Sequence, residues 1–276
     1  MSNLSLSKLL SQLCLTCVFL FAGITQVTYA GSTQTTETKL NPNDIVSFAK
    51  GVEKYAATKG ARAFIIARVG RPVKDLPRGI EFTHTAVALY SSIKLADGKS
   101  VTGYAIHNLY QNAKQIGKSS LIIDYPVDFF WGVNELKAGI IIPTPELQQR
   151  LITTIASGKN QTLHNSNYSV IANPFTSRYQ NCTEYTLDLV NAAIYQTTNK
   201  EKLKLNAKAH FTPQQVHTNP FKLMLGNIMM DDVSTKDHKS KVYTATFTTI
   251  ASYLQQNNLV NETVVFNQNG KVRQLL

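Results

Sequence analysis

The chain has 276 residues, and its 28 Lys and Arg against 17 Asp and Glu give a formal net charge of +11. This length suffices for one substantial hydrophobic core. The basic residues are scattered along the chain rather than gathered in an Arg-rich stripe, and no nucleic-acid-binding motif accompanies them, so we expect no nucleic-acid partner. The chain contains no phosphate-binding loop, no dinucleotide-binding motif and no paired-cysteine zinc motif, so we expect no cofactor.

Residues 1–30 have the features of a secretory signal peptide. Lys8 is the only charged residue ahead of a mostly apolar stretch at 13–24, and a small residue, Ala30, closes the segment at a suitable cleavage position. The apolar stretch is shorter than the ~20 residues that a transmembrane helix needs. We therefore expect cleavage after Ala30, no stable transmembrane segment afterwards, and a periplasmic or secreted protein.

The remaining chain is predicted to form one α+β domain at 43–276, preceded by a flexible leader at 31–42 that is rich in Thr and Ser. Apolar spacing and turn signals predict its first elements. These are a helix at 43–60, strands at 62–69, 81–90, 102–110, 121–125 and 136–142, and a helix at 144–156. Asp97-Gly98 lies between the second and third strands and is a strong hairpin signal.

The second half of the domain is predicted to contain a helix that begins at Cys182. Leu187, Val190 and Ile194 repeat at helical spacing, which indicates one buried face. The later elements are a polar connector at 199–206, an apolar patch at 224–230, a strand at 242–247, a helix at 248–257 and a terminal hairpin at 264–275.

Cys182 is the first candidate for chemistry. It is predicted to lie in the first turn of its helix, where free N–H groups and the positive end of the helix dipole stabilise a thiolate. The other two cysteines, Cys14 and Cys17, lie in the predicted signal peptide, so Cys182 is expected to be the only thiol of the mature protein. An unpaired cysteine in a secreted protein indicates a reactive thiol or intermolecular pairing, although a buried, inert cysteine is the ordinary alternative.

His84 and His107 are the candidates that accompany it. Antiparallel pairing across the predicted hairpin places both histidines in the same part of the sheet. A cysteine at a helix start and a histidine on an adjoining strand form the arrangement of a thiol hydrolase, in which the imidazole accepts the thiol proton. We predict Cys182 as nucleophile, His84 as base and His107 as the group that orients the imidazole.

Two amides complete the predicted site. Asn181 and Asn108 are candidates for binding substrate or for donating to an oxyanion, together with the backbone N–H of the cysteine. Asn108 is also an alternative to His107 as the orienting group. A base after the cysteine in sequence is disfavoured, because neither His217 nor His238 lies on an alternating strand.

Two short motifs resemble the circularly permuted branch of the papain-like, NlpC-type superfamily, which includes lecithin-retinol-acyltransferase-like enzymes and bacterial envelope hydrolases. These motifs are Phe82-Thr83-His84-Thr85-Ala86-Val87 and Asn181-Cys182-Thr183-Glu184-Tyr185. Members carry a histidine on one strand, a second polar residue on the next and a cysteine at the start of the helix after the sheet, and His84, His107 and Cys182 match these places. The resemblance implies a permuted papain-like fold, with an antiparallel sheet packed against a Cys-bearing helix.

A narrower resemblance covers residues 62–254. The motifs Tyr104-Ala105-Ile106-His107-Asn108-Leu109-Tyr110-Gln111 and Asp124-Tyr125-Pro126-Val127-Asp128-Phe129-Phe130 resemble a bacterial domain-of-unknown-function family, DUF2145. This family brings no established substrate with it.

The sequence leads to the hypothesis of a secreted or periplasmic cysteine hydrolase or acyltransferase that cleaves an amide or ester bond. By analogy with the superfamily, its substrate is a peptidoglycan peptide or a lipid of the cell envelope. The alternative is a non-catalytic envelope-binding protein of the same fold. A zinc site of His84, His107 and Cys182 is a further alternative, disfavoured because neither histidine belongs to a closely spaced pair.

Overall fold

The computed structural model describes residues 37–217 and 233–276. The predicted signal peptide with Cys14 and Cys17, and the predicted apolar patch at 224–230, lie outside these residues. The described helices are α1 (Pro42–Thr58), α2 (Pro126–Trp131), α3 (Pro145–Ala156), α4 (Lys159–Leu163), α5 (Cys182–Tyr195), α6 (Lys200–His210) and α7 (Phe247–Gln256). The described strands are β1 (Ala63–Val69), β2 (His84–Lys94), β3 (Ser100–Asn112), β4 (Gln115–Asp124), β5 (Glu135–Pro143), β6 (Gln214–Gln215), β7 (Tyr243–Thr244), β8 (Val260–Asn267) and β9 (Val272–Gln274).

Seven of these strands form one sheet in the order β4-β3-β2-β1-β5-β8-β9. Every neighbouring pair in it is antiparallel. The predicted hairpin is present as β2 and β3, which pair from Val87↔His107 to Lys94↔Ser100. Its turn holds Gly98 at a positive φ of 83°, a conformation that glycine adopts without strain. The terminal hairpin is likewise present as β8 and β9.

Helices cover both faces of the sheet because its central strands are buried on both sides. One face packs on α1 and α2 through a cluster that includes Phe48, Phe64, Ile106 and Phe130. The other face packs on α3, α5 and α7. On that second face, Gly139 of β5 leaves room for the ring of Phe247, which a side-chain methyl at this position would overlap. The result is a three-layer α+β architecture.

Helix α6 corrects the prediction of a polar connector at 199–206. Asn199 caps this helix, since its side chain accepts a hydrogen bond from the N–H of Lys202 at 3.0 Å. Only Leu203, Lys204 and Ala207 are buried along it. A helix that buries two apolar residues and a lysine lacks the apolar stripe by which helices are recognised in sequence.

Helix α5 carries Cys182 and packs against β2 and β3. The antiparallel sheet with a Cys-bearing helix is therefore present, in an α+β fold. None of the helices in the described ranges is long and apolar enough to cross a bilayer.

Candidate active site

Cys182 is the first residue of α5, and Asn181 is the N-cap that sets its position. The Asn181 side-chain oxygen accepts a hydrogen bond from the N–H of Glu184 at 2.9 Å. Its Nδ2 donates to the carbonyl of Val170 at 2.9 Å and to the hydroxyl of Thr244 at 3.3 Å. Because both ends of this amide are engaged in holding the helix start, Asn181 positions the cysteine and its side chain has no donor left for a substrate oxyanion.

The Cys182 sulfur lies against the start of β2. Its Sγ is 3.9 Å from the carbonyl oxygen of Thr83 and 3.8 Å from the hydroxyl of Thr183, and the backbone N–H of Thr85 donates to it. The residue is only 3% exposed. Burial raises the pKa of the Cys182 thiol above its ordinary value, although these donors and the charge of Arg68 act in the opposite direction.

This result corrects the expectation of a stabilised thiolate at the helix start. The helix terminus and the nearby donors stabilise the thiolate, but the free energy needed to remove the thiolate from water is larger than this stabilisation. The resting form at neutral pH is therefore the neutral thiol.

His84 is fully buried and is held by Asn108. The imidazole Nε2 lies 3.0 Å from Asn108 Oδ1, while Asn108 Nδ2 donates to the carbonyl of Ile106 at 2.9 Å. That second bond fixes which end of the amide faces the ring. Since Oδ1 only accepts, Nε2 carries the hydrogen and Nδ1 carries the lone pair. In the described structure Nδ1 has no hydrogen-bond partner.

Aromatic rings fix the plane of the His84 imidazole. It stacks on Tyr110 with 4.7 Å between centroids and 8° between planes, and Phe129 lies 5.5 Å away on the same side of the sheet. Burial lowers the pKa of His84 well below its ordinary value, and the nearby Arg68 lowers it further. The ring is therefore neutral at physiological pH and able to accept a proton.

Arg68 is a member of this site that the sequence interpretation missed. Arg68 pairs with His84 across β1 and β2 and is only 2% exposed. Its guanidinium donates a hydrogen bond to the carbonyl of Phe129. The guanidinium carbon also lies 5.4 Å from the ring centroid of Tyr110 and 5.2 Å from that of Phe129. The Tyr110 hydroxyl in turn bonds Asp124 at 2.5 Å. The sequence did contain a signal for Arg68, since it is the single charged residue in the otherwise apolar strand β1. A buried charge indicates a specific partner, because charges are rarely buried without one.

His107 lies on the opposite face of the sheet from His84. His107 pairs with Val87, which is buried on the face of the sheet that packs against α3, α5 and α7. It also lines a separate cavity of about 330 Å³ together with Ile155 and Tyr185. His84 instead shares its face with Ala86. The predicted orienting role of His107 therefore has no contact to support it, and the structure gives the contact with His84 to Asn108.

The Cys182 thiol contacts the backbone on either side of His84, at the start of β2. Two of the backbone groups that contact the sulfur belong to Thr83 and Thr85, the residues on either side of His84, and a third belongs to Thr183. The paired register of β2 with β3 stops at Val87↔His107, and at Thr85 the chain bonds α5, whose Thr186 hydroxyl donates to the Thr85 carbonyl at 3.4 Å. No hydrogen bond joins the sulfur to either imidazole among the described residues.

A cavity of about 200 Å³, here called the Cys182 cavity, opens onto the sulfur. Its described walls come from the segment 71–83, from the segment 168–171, from the start of α5 and from residues 216 and 244–246. Asn181, Cys182 and Thr183 line it, whereas His84 and His107 do not. The cavity therefore borders Cys182 and the start of α5 rather than either imidazole.

His238, a base candidate in the disfavoured unpermuted order, has both ring nitrogens engaged. Its Nε2 lies 2.9 Å from the carbonyl oxygen of Ile171, and its Nδ1 accepts from the N–H of Tyr243 at 3.5 Å. It ties the loop after β6 to a wall of the Cys182 cavity. These two contacts indicate a structural role for His238.

A shared metal site of His84, His107 and Cys182 is not supported by these positions, because the two rings face opposite sides of the sheet. Across residues 37–217 and 233–276, no three His, Cys, Asp or Glu side chains are arranged to hold a metal ion.

A buried charge cluster secures the cysteine helix from its far side. Lys204 of α6 lies 2.6 Å from Glu184 and 2.9 Å from Asp188, both on α5, and Gln180 donates to Asp188 at 2.9 Å. Burial raises the pKa of Glu184 to about 8. Burial would lower the pKa of Lys204, but the two carboxylates outweigh it and raise that pKa. The cluster fixes the distance between α5 and α6 behind Cys182.

A family described as an uncharacterized protein conserved in bacteria, DUF2145, matches residues 55–254. The match covers β2, β3 and the helix α5 that supply His84, Asn108 and Cys182, and it confirms the narrower resemblance seen in the sequence. Neither a curated protein nor a solved structure matches the chain. Because the match spans more than half of the 276 residues, the chain belongs to the uncharacterized bacterial family DUF2145.

Proposed function

We propose that this protein is a cysteine hydrolase or acyltransferase in which Cys182 is the nucleophile, His84 the base and Asn108 the residue that orients the base. The observation that carries the proposal is the state of the His84 ring. Its Nε2 is held by Asn108, its buried Nδ1 lone pair has no partner, and the Cys182 sulfur contacts the backbone of the flanking residues Thr83 and Thr85. A thiol, an imidazole and an amide in this order are the components of papain-like catalysis.

The first half of the reaction begins from neutral groups. His84 Nδ1 takes the proton as Cys182 Sγ attacks the substrate carbonyl carbon, which gives a tetrahedral oxyanion and an imidazolium. The sulfur must first leave its contacts with Thr83 and Thr183. At 3.9 and 3.8 Å these contacts are long and weak, so a rotation about the Cys182 side chain costs little.

Backbone N–H groups at the start of α5 are suited to receive the oxyanion. The first N–H groups of a helix have no carbonyl of their own helix to bond, and the helix dipole favours negative charge there. The Cys182 N–H is one of these. The two predicted amide donors are otherwise engaged, Asn181 in capping the helix and Asn108 in holding His84, so the backbone takes the role proposed for them.

The second half of the reaction releases the acyl group. The imidazolium returns its proton to the leaving amine or alcohol as the carbonyl re-forms, which leaves a thioester on Cys182. Water, or an acceptor hydroxyl or amine, then attacks this thioester with His84 as base, and the thiol is restored. The proposed setting is periplasmic or secreted, with an amide in a peptidoglycan peptide or an ester in an envelope lipid as substrate.

A non-catalytic envelope-binding protein of the same fold is the second candidate. It is favoured by the absence of a hydrogen bond between the thiol and an imidazole in the described structure, and by the burial that raises the pKa of Cys182. In this alternative the Cys182 cavity binds a ligand and the thiol does not react.

Trapping of the acyl-enzyme distinguishes the two candidates. We expect p-nitrophenyl butyrate to acylate the wild-type chain once, with the adduct on Cys182 and the burst of nitrophenol equal to the enzyme. Peptide mass mapping is required because the full chain also contains Cys14 and Cys17. Cys182→Ala should give no burst and no adduct at 182, whereas a burst that persists in this variant would overturn the assignment of the nucleophile.

The pH profile tests the neutral starting state. Because the pKa of His84 is lowered well below its ordinary value and that of Cys182 is raised, both groups stay neutral across the interval between them. The second-order rate of acylation should therefore rise with pH only below about 6.5, where His84 loses its proton, and then stay flat to about pH 8. A rate that continues to rise tenfold per pH unit from 6.5 to 8 would indicate an unassisted thiolate instead.

A further inference from the structure

The walls of the Cys182 cavity are mostly apolar. Leu76, Ile80 and Phe82 contribute from the segment before β2, and Val170 and Val216 contribute from the other side. The charged residues that line the described part of the cavity, Arg71 and Asp75, belong to the loop at its edge. A group that enters this space from water exchanges solvent for hydrocarbon, and this favours apolar groups over hydroxyl or charged ones.

The size of the cavity limits what can enter it. At about 200 Å³ it is smaller than the ~300–1,000 Å³ of pockets that enclose a whole small molecule. It therefore accommodates a single side chain or a short acyl group, with the rest of the substrate outside. A sugar ring would place most of its hydroxyls against the larger, apolar part of the wall, and a long acyl chain would exceed the space.

We propose that the Cys182 cavity selects substrates that carry one compact apolar group, of isobutyl to benzyl size, next to the carbonyl attacked by Cys182. This inference rests on the proposed function. Cys182 lines the cavity together with Ile80 and Phe82, so a carbonyl placed at the sulfur can direct its neighbouring substituent against these apolar side chains. Apolar contact with Ile80 and Phe82 then binds the group and holds the carbonyl for attack.

The test uses chloroacetamides that differ only in the substituent on nitrogen. The sulfur displaces chloride from carbon, a thioether forms, and the thiol proton is lost to His84 or solvent. In the wild-type chain, N-isobutyl and N-benzyl chloroacetamide should label Cys182 at least about tenfold faster than N-(2-hydroxyethyl) chloroacetamide, as expected for burial of one hydrocarbon group. Labelling by the apolar reagents should saturate with concentration.

Ile80→Asp should abolish this preference by placing a carboxylate in the apolar wall, and Ile80→Val should keep it. Unsubstituted iodoacetamide reports the intrinsic reactivity of the thiol in every variant. If iodoacetamide labels Cys182 but the apolar and hydroxyethyl reagents react equally fast, the cavity proposal is overturned and the proposed function stands. A Cys182 that is inert to all the reagents, including iodoacetamide, would overturn both.

Discussion

Lys204→Met is expected to lower the free energy of unfolding by about 3–5 kcal/mol at pH 8. Lys204 is the cation that lies within 3 Å of both Glu184 and Asp188, and the carboxylate side chains are 1% and 6% exposed. Removing the ammonium leaves two buried carboxyl groups without a cation, so at pH 8 Glu184 either keeps an uncompensated charge or binds a proton that it would not bind in the unfolded chain. Urea denaturation followed by circular dichroism measures the effect.

The loss should be smaller at pH 5 than at pH 8. Glu184 has a pKa of about 8 in the folded chain, well above that of an unfolded glutamate, so its protonated form is favoured on folding. In the variant Glu184 takes up a proton as the pH falls, and this removes its unpaired charge. A variant whose stability is the same at both values would show that Glu184 stays ionised in the folded state, as it does in the unfolded chain.

Lys202→Met is the matched control. Lys202 lies on the same helix, is exposed and makes no side-chain ion pair with the described residues, so its loss should change stability by no more than about 0.5 kcal/mol. If Lys204→Met also fell within that range at pH 8, the buried cluster would contribute nothing to fixing α5 against α6.

The sheet and most helices could be predicted because each local signal agreed with the final packing. The Asp97-Gly98 turn lies within the β2–β3 connection, and Thr144 and Pro145 begin α3 with a cap and a proline at its first position. Helix α6 could not be found in this way. Its buried face is completed by Lys204, whose partners lie on another helix, and a tertiary contact of that kind leaves no periodic trace in the sequence.

The sequence offered two neighbouring residues, His107 and Asn108, as the group that contacts His84, and the structure gives this contact to Asn108. Alternation along β3 puts His107 and Asn108 on opposite faces, and the sequence did not show which of these faces His84 shares. The register Val87↔His107 decides it, because it places His84 on the face of Asn108. A shift of one residue in that pairing would reverse the outcome.

The protonation states of Cys182 and His84 also could not be predicted from the local sequence. A cysteine at a helix start indicates a depressed pKa, but desolvation depends on how completely the rest of the fold covers the sulfur. Here Thr83, Thr85 and the cavity walls leave it 3% exposed. The positive charge of Arg68 offsets part of the desolvation of the thiolate, because it lowers the pKa of Cys182. The same charge lowers the pKa of His84. In the proposed reaction, these directions favour proton transfer during attack over a preformed ion pair.

His84→Ala is expected to lower the rate of acylation by about 10²–10⁴-fold, the usual contribution of a positioned base. His84→Gln should lose a similar factor, although it keeps an amide that can bond Asn108, because a glutamine cannot accept the proton. The two variants together separate loss of the base from loss of packing around a fully buried ring. Initial rates of nitrophenol release with p-nitrophenyl butyrate, at pH 7, measure the effect.

Asn108→Ala and His107→Ala complete the comparison, since these neighbours on β3 face opposite sides of the sheet. Asn108→Ala should slow acylation by at least about tenfold, because the ring loses the bond that keeps its lone pair on Nδ1. His107→Ala should leave the rate nearly unchanged, because its side chain lines the separate 330 Å³ cavity. The reverse ranking, with His107 essential and Asn108 dispensable, would mean that the imidazole in the reacting state faces the other side of the sheet and that Cys182 is activated from there.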